Sequence, residues 1–379
     1  MAAFVGACCF NGCESTDKVD ELPEISVIED LTDARYVNLY GRNYYSDNFE
    51  GTTFINSASG FEFKFCGTEV YANMCVIGTR NSMWSVFVDG EKNSNARVLS
   101  FKETRGMLTE KVLVQGLIEG EHTVKVLKRT PSNFDRIIVN KLSCDGKFVA
   151  APEKLPLHID FYGDSITCGE GVLRGYKPSD SKIYTAETQN ALQSYAAYCA
   201  DELGASFSVF GRGGISLKFR NPATEEFSVL NNYKSMAVDL SIDRGECPEY
   251  DFADVPSAVV IYLGTNDYFR SIKYETGYSL SGMQSAYIEF IDKLGAYYGT
   301  DIPIVLCSGM MCHNSGLAGA AKGAAEILKP KYPYIAAIDF DAGVTEPTGG
   351  HPVVEDSEKS GKMLADCLKT LLDSKKMLG

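Results

Sequence analysis

From Leu22 to Val149 apolar and polar positions alternate with a period of two, the pattern of strands that bury one face. Phe61-Glu62-Phe63-Lys64-Phe65 alternates strictly, and Met83–Val88 runs into Asp89-Gly90, a hairpin-turn signal. His122–Leu127 and Phe134–Val139 continue the rhythm, with Glu119-Gly120 and Asp145-Gly146 as turns between runs. Short alternating strands of this kind predict an antiparallel β-sandwich or jelly roll over residues 22–150. Trp84 lies on one of these strands and is expected in the core rather than on a ligand.

After Pro156 the period changes. Short apolar runs at Leu157–Tyr162, Ser206–Phe210, Ala258–Leu263, Ile302–Cys307 and Ile335–Phe340 alternate with helical patterns at Ala191–Leu203, Gly282–Tyr298, Ala318–Leu328 and Ser357–Leu372. This alternation predicts an α/β domain over residues 151–379, a parallel sheet with helices on both faces. The junction falls in Lys147–Pro156, which holds two prolines. In such sheets functional residues gather beyond the carboxyl ends of the strands.

Composition adds exclusions. The length of 379 residues fits two domains better than one core. A hydrophobic share of 45% and a charged share of 23% are those of a soluble globular chain. The net charge of −14 disfavours nucleic acid and anionic membrane as partners. No apolar run reaches the ~18 residues of a membrane span. Residues 1–21 are read as a disordered tail; the competing reading is an anchor, because Val5-Gly6-Ala7-Cys8 resembles the end of a bacterial lipoprotein signal. The twelve cysteines are irregularly spaced without a CxxC pair, so zinc-ribbon and redox readings are weak. Cys66 and Cys75 could pair across neighbouring strands. With no HExxH motif and scattered histidines, no metal or cofactor is implied.

Candidate chemistry sits just past the strands. Gly163-Asp164-Ser165-Ile166 follows the first apolar run, Gly211-Arg212-Gly213-Gly214 the second, and Gly264-Thr265-Asn266-Asp267 the third. Gly349-Gly350-His351-Pro352 precedes the last helix. A parallel sheet brings these loops to one rim. Ser165 is the candidate nucleophile and needs a base. Of the four histidines, His122 lies in the sandwich, His158 lies inside a strand, and His313 is a loop rival. His351, on a Gly-rich rim loop, is the chosen base. Backbone N–H groups of Ser165 and Gly211 and the Asn266 amide are candidate oxyanion donors, with Gly213 a second choice for Gly211. Asp164 and Asp267 are read as loop-ordering residues. Tyr268 and Phe269, next to Asn266, are candidate sugar-stacking residues.

These blocks resemble the conserved segments of the SGNH, or GDSL, hydrolase superfamily, with Ser165, Gly211, Asn266 and His351 at the positions that name it. The resemblance spans Leu157 to the C-terminus. It implies a flavodoxin-like sheet and an acyl-serine intermediate. A strand-rich domain ahead of it resembles carbohydrate esterase family 2, which implies acetyl xylan esterase-like removal of O-acetyl groups from plant polysaccharide such as xylan or mannan. It also implies a secreted or cell-surface location. The alternatives are a lipase-like or other acyl-ester or thioester hydrolase, and a non-catalytic carbohydrate-binding protein. One departure stands out. The superfamily usually places an aspartate three or two residues before the histidine, where this chain has Thr348 and Gly349. Glu346 and Asp341 are nearby. The expectation is a Ser–His dyad whose imidazole is oriented by a backbone carbonyl.

Overall fold

In a computed structural model, which describes residues 22–92, 95–173, 185–220, 228–237, 247–312, 315–340 and 350–377, the alternating half folds into antiparallel strands. They are β1 (Ile25–Ile28), β2 (Val37–Tyr40), β3 (Asn43–Ser46), β4 (Gly51–Phe54), β5 (Gly60–Gly67), β6 (Val70–Gly78), β7 (Ser82–Val88), β8 (Arg97–Phe101), β9 (Thr109–Val114), β10 (Gly120–Lys128) and β11 (Asp135–Val149). The long β11 pairs first with β4 and last with β5, and β6 accompanies most of its length. Its register against β6 shifts between Val139 and Lys141, an irregularity of the kind that bends a strand between layers. The alternation decides the core. Phe61, Phe63 and Phe65 are buried together with Phe54, Phe148 and Trp84. Trp84 meets Phe54 edge-on at 5.8 Å between ring centres. The conjectured Cys66–Cys75 pair does not form. Both are free thiols, and Cys66 faces Lys147 and Glu121 while Cys75 faces Ile138.

The second half builds β12 (Leu157–Gly163), α1 (Tyr195–Leu203), β13 (Ala205–Gly211), α2 (Val229–Asn232), β14 (Ala258–Tyr262), α3 (Thr265–Lys273), α4 (Leu280–Tyr298), β15 (Ile304–Gly309), α5 (Leu317–Leu328), β16 (Ile335–Phe340) and α6 (Val354–Ser374). The strands form a parallel sheet in the order β13-β12-β14-β15-β16. Strands β12 and β14 are buried almost throughout, as expected of strands covered on both faces. On one face α4 and α5 supply Met283, Tyr287, Phe290 and Ala324. On the other α1 and α6 supply Tyr195, Cys199, Leu364 and Leu368. The predicted helix over Ala191–Leu203 is split by Ser194 into a single tight turn, Ala191–Gln193, and α1. Helix α3 is not among the helices that the sequence predicts; its apolar residues are too few to show a helical stripe. No helix among the described residues is long and apolar enough to cross a membrane.

The two halves share buried surface. Tyr40, Ala58 and Leu127 of the strand-rich half pack in the same cluster as Ile159, Phe161 and Tyr195. Arg42 reaches across. Its Nη1 donates to the carbonyls of Tyr233 and Ser235, both at 2.6 Å, and its Nη2 donates to the Tyr162 hydroxyl at 3.0 Å. The guanidinium also lies 4.1 Å from the ring centres of both Phe210 and Tyr250, a cation–π arrangement strengthened by exclusion of water.

Candidate active site

The strand order turns on β12, whose two neighbours, β13 and β14, follow it in sequence on opposite sides. The carboxyl end of such a strand is where α/β sheets open a crevice, and Ser165 lies two residues beyond it. The chain turns sharply there. A side chain at Gly163 would strike Thr167, with a Cβ 1.9 Å from its Oγ1. Asp164 Oδ1 accepts the Ile166 N–H at 3.0 Å, and the Asp164 carbonyl accepts the Cys168 N–H at 3.1 Å. Ser165 is held in a rigid turn as a result.

The His351 imidazole comes from the segment ahead of α6, 186 positions away, and its Nε2 lies 2.8 Å from Ser165 Oγ. Both residues are buried, at 6% and 9% exposure, so their contact is shielded from bulk water. That burial pushes the imidazole down to about 4, because an imidazolium is poorly solvated there. His351 is therefore neutral at pH 7 and able to accept a proton.

The second and third loops close on the first. Gly211 ends β13 directly beside Gly163, and a Cβ there would come within 2.6 Å of the Gly163 carbonyl, so only glycine allows this approach. Asn266, in the first turn of α3, donates through Nδ2 to Asp164 Oδ2 at 3.2 Å. Burial raises the Asp164 carboxyl to about 7. Asp267 accepts the backbone N–H groups of Leu217, Lys218 and Phe219 at 2.8, 2.9 and 2.7 Å. Both aspartates thus order loops. Arg270, one turn further along α3, donates to the Gly214 carbonyl at 2.5 Å and to Ser216 Oγ at 2.9 Å. Tyr268 and Phe269 are half-buried against the core, 5.6 Å apart, and Tyr268 also meets Tyr278 at 6.2 Å.

The other two described histidines are engaged elsewhere. His122 contacts Asp89 and the Ile118 carbonyl in the sandwich, and His158 bridges Ser206 and Asp160 within the sheet. His313, Asp341 and Glu346 lie outside the described residues, as does the tail over residues 1–21. Three contributors were not read from the sequence. Arg270 could have been found as the residue four after Asn266 on a helix, had α3 been recognised. Ser132 donates from the sandwich to the Gly211 carbonyl at 3.3 Å, a contact without a local signal. The third is Glu170.

Residues 39–152 match the family model of the carbohydrate esterase 2 N-terminal domain, and residues 161–344 match that of GDSL-like lipase/acylhydrolase. The cellulase/esterase CelE of Acetivibrio thermocellus is 31% identical over 268 residues, which is 69% of this chain and 30% of that protein. The acetylxylan esterase/glucomannan deacetylase of Cellvibrio japonicus is 24% identical over 235 residues, 59% of this chain and 61% of that protein. The chain thus spans less than two thirds of either curated relative. Among solved structures, a family two carbohydrate esterase from Clostridium thermocellum, in complex with cellohexaose, aligns at a TM-score of 0.73 and 26% identity over 89% of this chain and 98% of that one. With one matched model on each half and the same architecture throughout, the chain belongs to the GDSL hydrolases and has the two-domain build of carbohydrate esterase family 2.

Proposed function

We propose that this chain is a serine carboxylic-ester hydrolase that removes O-acetyl groups from carbohydrate through an acetyl-Ser165 intermediate. The observation that carries the reading is the 2.8 Å contact between Ser165 Oγ and His351 Nε2, in a buried site at the switch point of the sheet. His351 takes the Ser165 proton as the oxygen attacks the acetyl carbonyl. The N–H groups of Ser165 and Gly211 and the Asn266 amide receive the negative charge that develops on the carbonyl oxygen. His351 then returns the proton to the departing sugar hydroxyl, and the same base activates water to release acetate. Thr348 and Gly349 carry no carboxylate, so the pair is read as a dyad. Tyr268 and Phe269 are the proposed platform for a sugar ring, whose apolar C–H face suits an aromatic surface. Acetylated plant polysaccharide lies outside cells, which favours action outside the cell.

Acetate release from acetylated xylan, acetylated glucomannan and monosaccharide acetates tests the substrate class. Activity on aryl esters is expected to fall beyond a propionyl chain. Rising activity toward octanoyl would favour a lipase-like acyl site instead.

The buried imidazole gives a second expectation. The base works when neutral, so activity persists above its pKa and is lost below it. The rate constant kcat/KM on a soluble aryl acetate should hold as pH falls through 6.5 and drop through about 4. A midpoint at the ordinary histidine value of about 6.5 would contradict it.

A further inference from the structure

Glu170 lies on the turn after Ser165, and its N–H donates to the Ser165 carbonyl at 2.9 Å. Its side chain is buried, at 4% exposure, and its Oε1 has no hydrogen-bond partner. Burying a carboxylate with an unsatisfied oxygen lowers stability, so the fold retains it at a cost. The carboxylate lies against the neighbouring loop. A Cβ at Gly213 would stand 2.0 Å from Oε1 and 2.6 Å from both Oε2 and Cδ of Glu170. Gly213 is two residues from Gly211, whose N–H is a proposed oxyanion donor. That loop is held at three places: Ser132 binds the Gly211 carbonyl, Arg270 binds the Gly214 carbonyl, and the Glu170 carboxylate accepts the Gly213 backbone N–H. Of the three, only Glu170 also belongs to the turn that carries the nucleophile.

We propose that Glu170 is a positioning residue, a strut between the Ser165 turn and the Gly211–Gly214 turn that sets the spacing of the nucleophile from the oxyanion donors. The role rests on the esterase reading above. A strut acts on the transition state and leaves ground-state binding nearly unchanged, so its loss should appear in kcat and not in KM. Displacing a catalytic group by about 1 Å can cost about 100-fold, which sets the expected scale.

The test uses the full chain and a soluble aryl acetate. Glu170→Ala is expected to lower kcat by roughly 30- to 100-fold with KM within about threefold. Glu170→Gln keeps the volume and should recover to within about threefold of wild type. Gly213→Ala forces the strut aside and should lower kcat on its own, whereas adding it to Glu170→Ala should cost little more, because the obstructing carboxylate is already gone. Should Glu170→Ala fail to fold, Gly213→Ala alone still reports. Wild-type kcat in Glu170→Ala or in Gly213→Ala overturns the strut, as does a rise in KM at constant kcat or a multiplicative loss in the double variant. A wild-type protein without activity on any acetate ester overturns the esterase reading itself, so the two failures are distinguishable.

Discussion

Replacing Ser165 with alanine is expected to lower kcat on acetate esters by roughly four to six orders of magnitude. The side-chain contact of Ser165 that defines the site is the one to His351 Nε2, and the turn around it is held by backbone bonds and by Asp164. Alanine therefore fits without disturbing the scaffold, and the loss falls on chemistry. His351→Ala should cost a comparable amount, because an unassisted serine hydroxyl is a poor nucleophile at neutral pH. The two losses should not add, since each variant already disables the same proton transfer. Acetate release by the two single variants and the double variant measures this, with thermal unfolding as the control for folding. Retained activity in Ser165→Ala would end the covalent mechanism. A serine-directed phosphonate supplies an independent reading: it should label the wild type and not Ser165→Ala. Absence of labelling with retained polysaccharide binding would instead describe a binding protein on a hydrolase fold.

The largest effect on stability is expected at Asp135, in the strand-rich half. Lys128 and Asp135 are both fully buried, with Nζ 3.4 Å from Oδ1. Burial draws the ammonium down and the carboxylate up, toward their neutral forms, and each partner's charge opposes that shift. Ser82 and Thr130 donate their hydroxyls to the carboxylate, and the Lys128 ammonium donates to the carbonyls of Thr130 and Pro131. Asp135→Ala leaves the ammonium without its counter-charge and two hydroxyls without their acceptor. Breaking a buried pair in this way costs about 3–5 kcal/mol. The segment that holds the pair continues into Ser132, which binds the Gly211 carbonyl. Activity should therefore disappear at a lower temperature in Asp135→Ala, in step with unfolding. Denaturant unfolding followed by fluorescence and by circular dichroism would measure the shift; a midpoint equal to wild type would contradict it. Replacing both partners with apolar residues of similar volume should cost much less, since no charge is then stranded.

The elements and the residues of the site differ in how they were legible. The strand Ala258–Tyr262 announces itself within five residues, because a strand covered on both faces must be apolar throughout. The same local logic places Ser165, Gly211 and Asn266 just past strands. His351 needed more, since nothing in its own segment distinguishes a base from a surface histidine; it was chosen through Ser165. Glu170, Ser132 and Arg42 were invisible for a different reason. Each acts through side-chain contacts with a distant part of the chain, and such contacts leave no period to read. Glu170 also stands in a turn between Gly169 and Gly171, which both adopt positive φ, and nothing in that local pattern points to its side chain. Helix α3 was missed because only Tyr268, Phe269 and Ile272 of its nine residues are apolar, whereas sequence reading depends on an apolar stripe.

Arg42 bears on how such a chain can change over evolutionary time. Its guanidinium is lodged among rings that belong to the other half of the molecule, and its hydrogen bonds end on that half's backbone. Neither half can be traded for a homologue by recombination unless the donor brings both the cation and the ring-lined socket to receive it. Swaps that separate them would strand either a desolvated charge or an open aromatic hollow. The socket therefore couples the strand-rich half to the parallel-sheet half, unlike a module joined only by a linker.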